Sequence, residues 1–332
     1  MMKLIYLLLI PAFFIHGKVK QERNIDRPAI KTEVYDIAFE DDDGICAAVI
    51  KTGVKTVVRR GATEPCISRN GREIAYETID EQANRCIYVM NLATRKEVKI
   101  KTGKGVNYKP VWSPDNYHLA FKSHGNDSVF IGIVGKDNKG LTMIKGSSDM
   151  LNGPVWTADG KLVFNSRDSV FVYNLSGKCI KGYGKLQVVN DYYILPSDPV
   201  FSLTPDGRNM VFIAELDRPK TKAFTRGDLV LFSTDLQSMK TTRLIRKGAE
   251  GWDPYLDEKG NIYFSSYNKK GRGIYRISVA DTTLREYLPG VSGFSIRDKV
   301  QIAGPVKLKS CDNCPVSPKW EEPQLKIKEE TN

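Results

Sequence analysis

Histidine is scarce in this chain: there are three in 332 residues, and one of them, His16, falls in the first seventeen. That leaves His118 and His124, too few to assemble a multi-histidine metal centre. Long apolar runs are missing as well. The longest, Leu4–Ile15, spans twelve residues, short of the roughly 20 that a membrane-spanning helix needs. With Lys3 before it and Gly17 and a polar stretch after it, this run has the layout of a secretory signal peptide. No cysteine follows it, so a lipoprotein anchor is not expected there. The reading is a signal peptide over 1–17 and a polar linker over 18–33. The mature chain is then periplasmic or secreted, with no membrane span after cleavage.

Further absences narrow the chemistry. No G-x-S-x-G nucleophile elbow occurs; the nearest string, "GVSGF" at Gly290, fails at its last position. Apolar spacing of three and four, the mark of amphipathic helices, is also lacking. Of six cysteines, only Cys311 and Cys314 have the C-x-x-C spacing. They sit on a Pro- and Lys-rich tail, 307–332, with no second pair to complete a zinc site, so a local disulfide is the expectation. No metal or cofactor is expected. The net charge of +11 is scattered in short groups such as "VVRR" and "NKKGRGIYR", which reads as a solvated surface and not as a nucleic-acid footprint.

What the chain does contain is a repeat. "EPCISRNGREIAYE" at Glu64, "YKPVWSPDNYHLAF" at Tyr108, "GPVWTADGKLVFNS" at Gly153, "DPVFSLTPDGRNMVFIA" at Asp198 and "DPYLDEKGNIYFSS" at Asp253 share one grammar. Each opens on a proline, Pro65, Pro110, Pro154, Pro199 and Pro254, at spacings of 45, 44, 45 and 55 residues. The last interval is lengthened by "ELDRPKTKAFTRGD", which reads as a loop insertion.

A turn pair follows in every copy: Asn70-Gly71, Asp115-Asn116, Asp159-Gly160, Asp206-Gly207 and Lys259-Gly260. Glycine, or asparagine as the next best residue, accepts the positive φ that a tight hairpin requires. After the turn comes "IAY", "LAF", "LVF", "MVF" or "IYF", apolar on both faces as in a strand sandwiched between sheets. A third strand is legible in "CIYVMNL", "SVFIGIV", "SVFVYNL", "DLVLFSTDL" and "GIYRISV". A fourth is legible in four units, while "KCIKGYG" in the middle unit is weaker.

Four strands in roughly 40 to 45 residues is the arithmetic of a β-propeller blade. Five full units leave "VYDIAFEDDDGICAAVIKTGVKTVVRRG" near the start, which resembles the later strands of a blade, and "VSGFSIRDKVQIAGPV" near the end, which resembles the earlier ones. Together they predict an all-β, six-bladed propeller over 34–306, its sixth blade closed by strands from both termini. The division of that blade between the two termini is left open.

The proline, aromatic, Ser/Thr-Pro-Asp-Gly and apolar-strand pattern resembles the TolB-type propeller and its WD-like repeats, from about Glu33 to Val306. The resemblance implies the fold and suggests an envelope-associated protein. Only the short linker lies between signal and first strand, without the α/β domain that precedes the propeller in TolB itself. Propellers of peptidases resembling prolyl oligopeptidase need a separate hydrolase domain, which this chain does not carry. Those resembling oligogalacturonate lyases need several histidines.

In a propeller the first strand of each blade lines the central channel, and the residues entering it face one mouth. By repeat position these are Glu64, Lys109, Asn152, Asp198 and Asp253, with Tyr108 and Trp252 as nearby aromatics; they are the candidate ligand- or partner-binding set. Trp112 and Trp156 read as inter-blade core. Ser113, Asp115 and His118 have the residue types of a catalytic trio, but Thr157 or Thr204 replaces the serine elsewhere, Lys259 replaces the aspartate, and the histidine has no counterpart. No catalytic residue is expected. Cys66 and Cys86 fall on the first and third strands of one blade, roughly 9 to 10 Å apart, too far for a disulfide.

The function expected is therefore a non-enzymatic binding or scaffold protein that engages a protein or a cell-envelope polysaccharide at the channel mouth. The alternative is a carbohydrate-binding or carbohydrate-active propeller, of glycosidase or lyase type.

Overall fold

Strands of up to eight residues, the second of each unit buried on both faces, organise the chain because its apolar triplets are bounded by Gly, Asn and Asp turns. The structure, a computed structural model, describes residues 34–310 except 43, 104, 126–127, 146–149, 191–192, 217–228, 246–250, 269–270, 290 and 298–308. The stretches expected to be a signal peptide and a linker, the residues 217–228 of the expected loop insertion, and Cys311 and Cys314 lie outside the described residues.

Three strands come first, β1 (Ile37–Asp41), β2 (Gly44–Val49) and β3 (Val54–Arg59). The first unit holds β4 (Thr63–Ile67), β5 (Glu73–Ile79), β6 (Arg85–Asn91) and β7 (Glu97–Lys99). The second holds β8 (Val106–Trp112), β9 (His118–Gly125), β10 (Ser128–Gly135) and β11 (Thr142–Ile144). The third holds β12 (Asn152–Trp156), β13 (Leu162–Asn165), β14 (Ser169–Tyr173) and β15 (Cys179–Gly184), followed by a short helix α1 (Lys185–Val189). The fourth holds β16 (Tyr193–Ile194), β17 (Phe201–Leu203), β18 (Asn209–Leu216), β19 (Leu229–Asp235) and β20 (Lys240–Arg243). The fifth holds β21 (Trp252–Leu256), β22 (Asn261–Asn268), β23 (Gly271–Ser278) and β24 (Arg285–Pro289), and the chain ends with β25 (Ser292–Ile296) and β26 (Lys309–Ser310).

Each unit is one antiparallel meander, and the sixth sheet runs β25-β1-β2-β3-β26. The closing blade thus takes its innermost strand from the carboxyl end and three strands from the amino end. β26 then pairs parallel to β3 through Lys309 and Ser310, so the carboxyl segment holds both edges of this blade. The first strands β4, β8, β12, β17, β21 and β25 contact one another in that order, and β25 returns to β4. The ring is closed.

Five apolar clusters fill the six interfaces between blades. Trp112 packs with Ala75, Ile87 and Phe121 between the first two units, and Trp156 with Ala120, Ile131 and Phe164 between the second and third. Both tryptophans are buried, and the Trp156 indole donates to the Val111 carbonyl at 3.1 Å. This is core, as the repeat position implied. The weak fourth strand of the third unit, β15, is present and six residues long; its burial pattern is exposed at Cys179–Gly182, so no alternation was there to read. Helix α1, after the third unit, and β16, which opens the fourth, left no periodic signal because each is so short. Cys66 and Cys86 lie on β4 and β6 and are unpaired.

All five turn pairs put their second residue at positive φ: Gly71 (69°), Asn116 (58°), Gly160 (81°), Gly207 (69°) and Gly260 (78°). Their surroundings differ. A Cβ on Gly160 would meet nothing within 4 Å, whereas on Gly71 it would fall 2.2 Å from the Tyr35 carbonyl oxygen, where the amino-terminal chain docks on this turn. Gly160→Ala should therefore cost only the backbone term, about 1 kcal/mol. Gly71→Ala should cost clearly more, about 3 kcal/mol, because the docked segment must also move. Thermal unfolding of the two variants checks this; equal losses would contradict it.

Candidate functional site at the channel entrance

Five of the six first strands, all but β17, enter the channel through the same local device. The ladder between first and second strand is regular at both ends but slips by one residue in between, at Thr63/Cys66, Tyr108/Val111, Asn152/Val155 and Trp252/Tyr255, and at Ala38/Glu40 in the closing blade. The bulged residue has a left-handed backbone: Glu64 (φ 51°), Lys109 (52°), Gly153 (59°), Asp253 (50°) and Gly293 (53°). A proline follows four of these five and sets the strand that continues down the channel. Below them the six first strands enclose a cavity of about 160 Å³ with largely apolar walls, among them Val111, Trp112, Val155, Trp156 and Phe294. Arg69 and Tyr255, which share a hydrogen bond, mark its far end.

A second ring of polar groups, not singled out from the sequence, supports the first. It is the residue directly after the apolar triplet of the second strand: Glu40, Glu77, Lys122, Asn165 and Ser265. Each is paired with a first-strand residue of its own blade next to the bulge, and four of them reach on to the next blade. The Glu64 amide donates to Glu40 Oε1 at 2.6 Å, and the Lys109 amide to Glu77 Oε2 at 3.3 Å. Lys122 Nζ donates to Asn152 Oδ1 at 3.0 Å, and Asn165 Nδ2 to the Pro199 carbonyl at 2.8 Å. Glu77, Lys122 and Asn165 are buried. The signal was present as a polar residue at a fixed place after "IAF", "IAY", "LAF", "LVF" and "IYF", at a position that strand alternation gives to the core.

The predicted residues fall into two groups. Lys109, Asn152, Asp198 and Tyr108 come together on one side. Asp198 Oδ2 accepts from Lys109 Nζ at 2.8 Å and Asp198 Oδ1 from Lys122 Nζ at 2.9 Å. This bridge runs from the second unit to the fourth across the third, whose own ring position is Gly153 and carries no side chain. Asn152 is therefore one residue ahead of the bulge, level with Tyr108 and Trp252. The Tyr108 ring lies under two cations, Arg85 at 4.8 Å and Lys122 at 5.2 Å, and Arg85 is itself paired with Glu77.

On the opposite side stand Glu64, Asp253 and Glu40, with Gly293 between them in the ring. Burial pushes the Glu64 carboxyl up to about 7, against the pull of Lys109 and helped by Asp253, Glu77 and Glu40. Burial likewise raises Asp253 and Glu40. Asp253 is open to the channel yet walled in by protein on its other sides, so its charge is poorly solvated. Asp198 differs: burial alone would raise it, but the two lysines hold it below the ordinary range. Trp252 packs by its ring against the core of the fourth and fifth units, half-buried at the entrance.

At the other end of the channel, the Ser113–Asp115–His118 trio is assembled, but in the wrong order for a nucleophile. Asp115 sits in the middle, accepting from the buried Ser113 hydroxyl and meeting His118 Nδ1 at 2.6 Å. The base facing the hydroxyl is the Asp115 carboxylate, which burial would raise but which the hydrogen bonds from Ser113 and His118 hold down at about 2, too weak to take a hydroxyl proton. Thr157 to Asp159 at 2.5 Å and Thr204 to Asp206 at 2.6 Å repeat the same contact in the next two turns. The contact is the lock of the hairpin. His124 is exposed and lies on β9, which runs on to Gly125, longer than the sequence suggested.

The raised Glu64 has a consequence for stability. Between the ordinary carboxylate value of 4.5 and about 7, the folded state keeps a proton that the unfolded chain has released, so stability falls as pH rises through this window. Above it the cost of the buried charge is complete. Glu64→Gln should raise the melting temperature by a few degrees at pH 8, with the gain vanishing by about pH 4.5. A melting series against pH decides it; no gain at pH 8 would contradict the assignment.

Comparison with known proteins places this architecture. The family model described as the TolB beta propeller domain matches residues 24–225. The Tol-Pal system protein TolB of Alcanivorax borkumensis is 35% identical over 86 residues, 26% of this chain and 19% of that protein. The same protein of Francisella tularensis subsp. mediasiatica is 26% identical over 191 residues, 56% of this chain and 41% of that protein. The chain thus spans less than half the length of the curated relatives it matches. Among solved structures, TolB from Acinetobacter baumannii superposes with a TM-score of 0.58 at 14% identity, covering 81% of this chain and 68% of that one. A nidogen/laminin complex reaches 0.55 at 10% identity, over 79% and 97%; at such identities the likeness is one of fold. Since the family model covers more than half of the chain and the blades close into the corresponding ring, the chain belongs to the TolB beta propeller domain family.

Proposed function

We propose that the protein is an exported binding or scaffold protein of the cell envelope whose channel entrance engages a segment of another protein. The observation that carries this reading is the entrance itself. Three charged residues, Glu64, Lys109 and Asp253, occupy left-handed backbone positions that glycine fills more cheaply, as Gly153 and Gly293 do in the same ring. Backbone strain kept at charged residues around one opening fits a recognition surface. Beneath it lies the largely apolar cavity of about 160 Å³, which offers a seat for an inserted side chain.

The names of the curated relatives, Tol-Pal system proteins, support an envelope setting and a protein partner, and the apolar run Leu4–Ile15 supports export. Among the described residues no helix is long and apolar enough to cross a membrane. Catalysis on a sugar would pair a protonated carboxyl with an ionised one facing the substrate. Glu64 suits the first role, but Asp198, the carboxylate held ionised at this mouth, is taken up by Lys109 and Lys122.

A photocrosslinking residue at Tyr108 tests the reading against one at Lys161 on the hairpin face. Envelope extracts should yield one specific crosslinked protein from position 108 and none from 161. Asp253→Arg and Lys109→Glu should each reduce that yield about tenfold or more, the cost of reversing a charge in an interface. Equal capture from both faces, or turnover of acidic oligosaccharides by the purified protein, would sink the proposal.

A further inference from the structure

Asp198 stands apart from the other ring residues. Glu64, Lys109, Gly153, Asp253 and Gly293 all lie within first strands, fixed by the ladder to β5, β9, β13, β22 and β1. Asp198 lies outside any strand, in the stretch 195–200 between β16 and β17, and the first strand of its blade does not begin until Phe201. Its φ is not left-handed either. The residue that spans the entrance thus stands outside the strand ladder, its chain held instead by the bond from Asn165 to the Pro199 carbonyl.

Its partners are the opposite. Lys122 is buried within β9, its ammonium 2.9 Å from Asp198 Oδ1 and 3.0 Å from Asn152 Oδ1, with the Tyr108 ring beside it. Lys109 reaches Asp198 Oδ2 from the bulge of β8. Two ammoniums from a rigid blade therefore grip both oxygens of one carboxylate that arrives on a loop, across the gap left by Gly153. A buried ammonium deprived of its carboxylate is costly, so this pocket always calls for an acid.

We propose that Lys109, Lys122 and Asn152 form a carboxylate-binding site for an aspartate or glutamate side chain of the protein partner, and that Asp198 is an internal occupant which the partner's carboxylate displaces. This rests on the reading of the entrance as a protein-binding surface and adds what it recognises there. The occupant seen in the structure is an aspartyl peptide, Ser197–Asp198–Pro199, so a peptide carboxylate is the chemistry the pocket is shaped to take. An internal occupant lowers the apparent affinity for an outside ligand by the fraction of time the site stands open. Removing it should raise that affinity, the reverse of what deleting a partner-contacting residue does.

The test uses the purified full chain and a capped hexapeptide copying 195–200, Leu-Pro-Ser-Asp-Pro-Val, with an Asn-for-Asp control peptide and galacturonate as a uronic-acid probe. Binding is followed by calorimetry, and folding by circular dichroism. Asp198→Ala is expected to bind the aspartyl peptide roughly tenfold tighter or more than the unsubstituted protein, whereas the Asn peptide gains nothing. Adding Lys122→Met to Asp198→Ala should abolish the gain. If Asp198→Ala does not fold, the isosteric Asp198→Asn carries the same expectation.

Equal binding by variant and unsubstituted protein, or equal binding of the Asp and Asn peptides, overturns the proposal; a gain for galacturonate as large as for the peptide overturns its assignment to a protein carboxylate. No envelope partner enters this experiment, so its failure would leave the crosslinking outcome standing. Failed crosslinking would likewise leave the peptide result intact.

Discussion

The pairing of β25 with β1 is the contact on which the other blades depend. Every sheet of this chain is apolar on both faces, so each is stable only between two neighbours, and an open row of six would leave two faces and an unpaired edge in water. Ser292–Ile296 removes both faults at once, seating a carboxyl-terminal strand as the innermost strand of the amino-terminal blade. The Ile67 amide donates to Ser295 Oγ at 2.6 Å, tying that strand to the first unit. This closure is non-local in the extreme, joining residues more than two hundred positions apart, and the core between fifth unit and closing blade, with Phe39, Tyr263 and Tyr287, exists only once it has formed.

Closure also creates the entrance. Six strands that converge on one axis bring six corresponding positions together, and in five of them a repeated bulge sets the backbone at the opening, while the fourth unit supplies Asp198 from the stretch ahead of its first strand. A ring made this way need not be symmetric, because the positions share geometry and not chemistry. Here the third and sixth members are glycines, and each gap lies within one group: the bridged side, Lys109, Asp198 and Lys122, reaches across Gly153, and the acidic side, Glu64, Asp253 and Glu40, flanks Gly293. The electrostatics follow that grouping: burial raises the carboxylates on the acidic side, with Asp253 adding to the rise at Glu64 and Glu40, while the one on the bridged side is held down by two lysines.

The polar ring on the second strands explains how charged residues survive at the neck of an apolar channel. Glu40 and Glu77 receive backbone amides of the next blade's bulge, and Asn165 donates to the next blade's carbonyl. Backbone groups freed where the ladder slips are thereby satisfied across the blade interface. The same bonds fix one blade's register against its neighbour's, so the entrance is held by the joints that hold the ring. Burial of Lys122 at this position is tolerable only because Asp198 and Asn152 meet it.

The sequence by itself determined the repeat, the strand order within each blade, the turn residues and the closure from both ends, because each rests on local rules: period-two apolarity, positive φ at glycine, and proline at a strand's start. It also marked which residues enter the channel, since one repeat position in a propeller is one place in space. It did not show that Asn152 stands one step off the ring with Gly153 in its place, nor how the closing blade is divided, nor that Lys122 grips Asp198 from 76 positions away. Those were decided by tertiary structure. A glycine's missing side chain matters only when something reaches across it, and the partner of a buried lysine is chosen by the ring's curvature, which no stretch of chain contains.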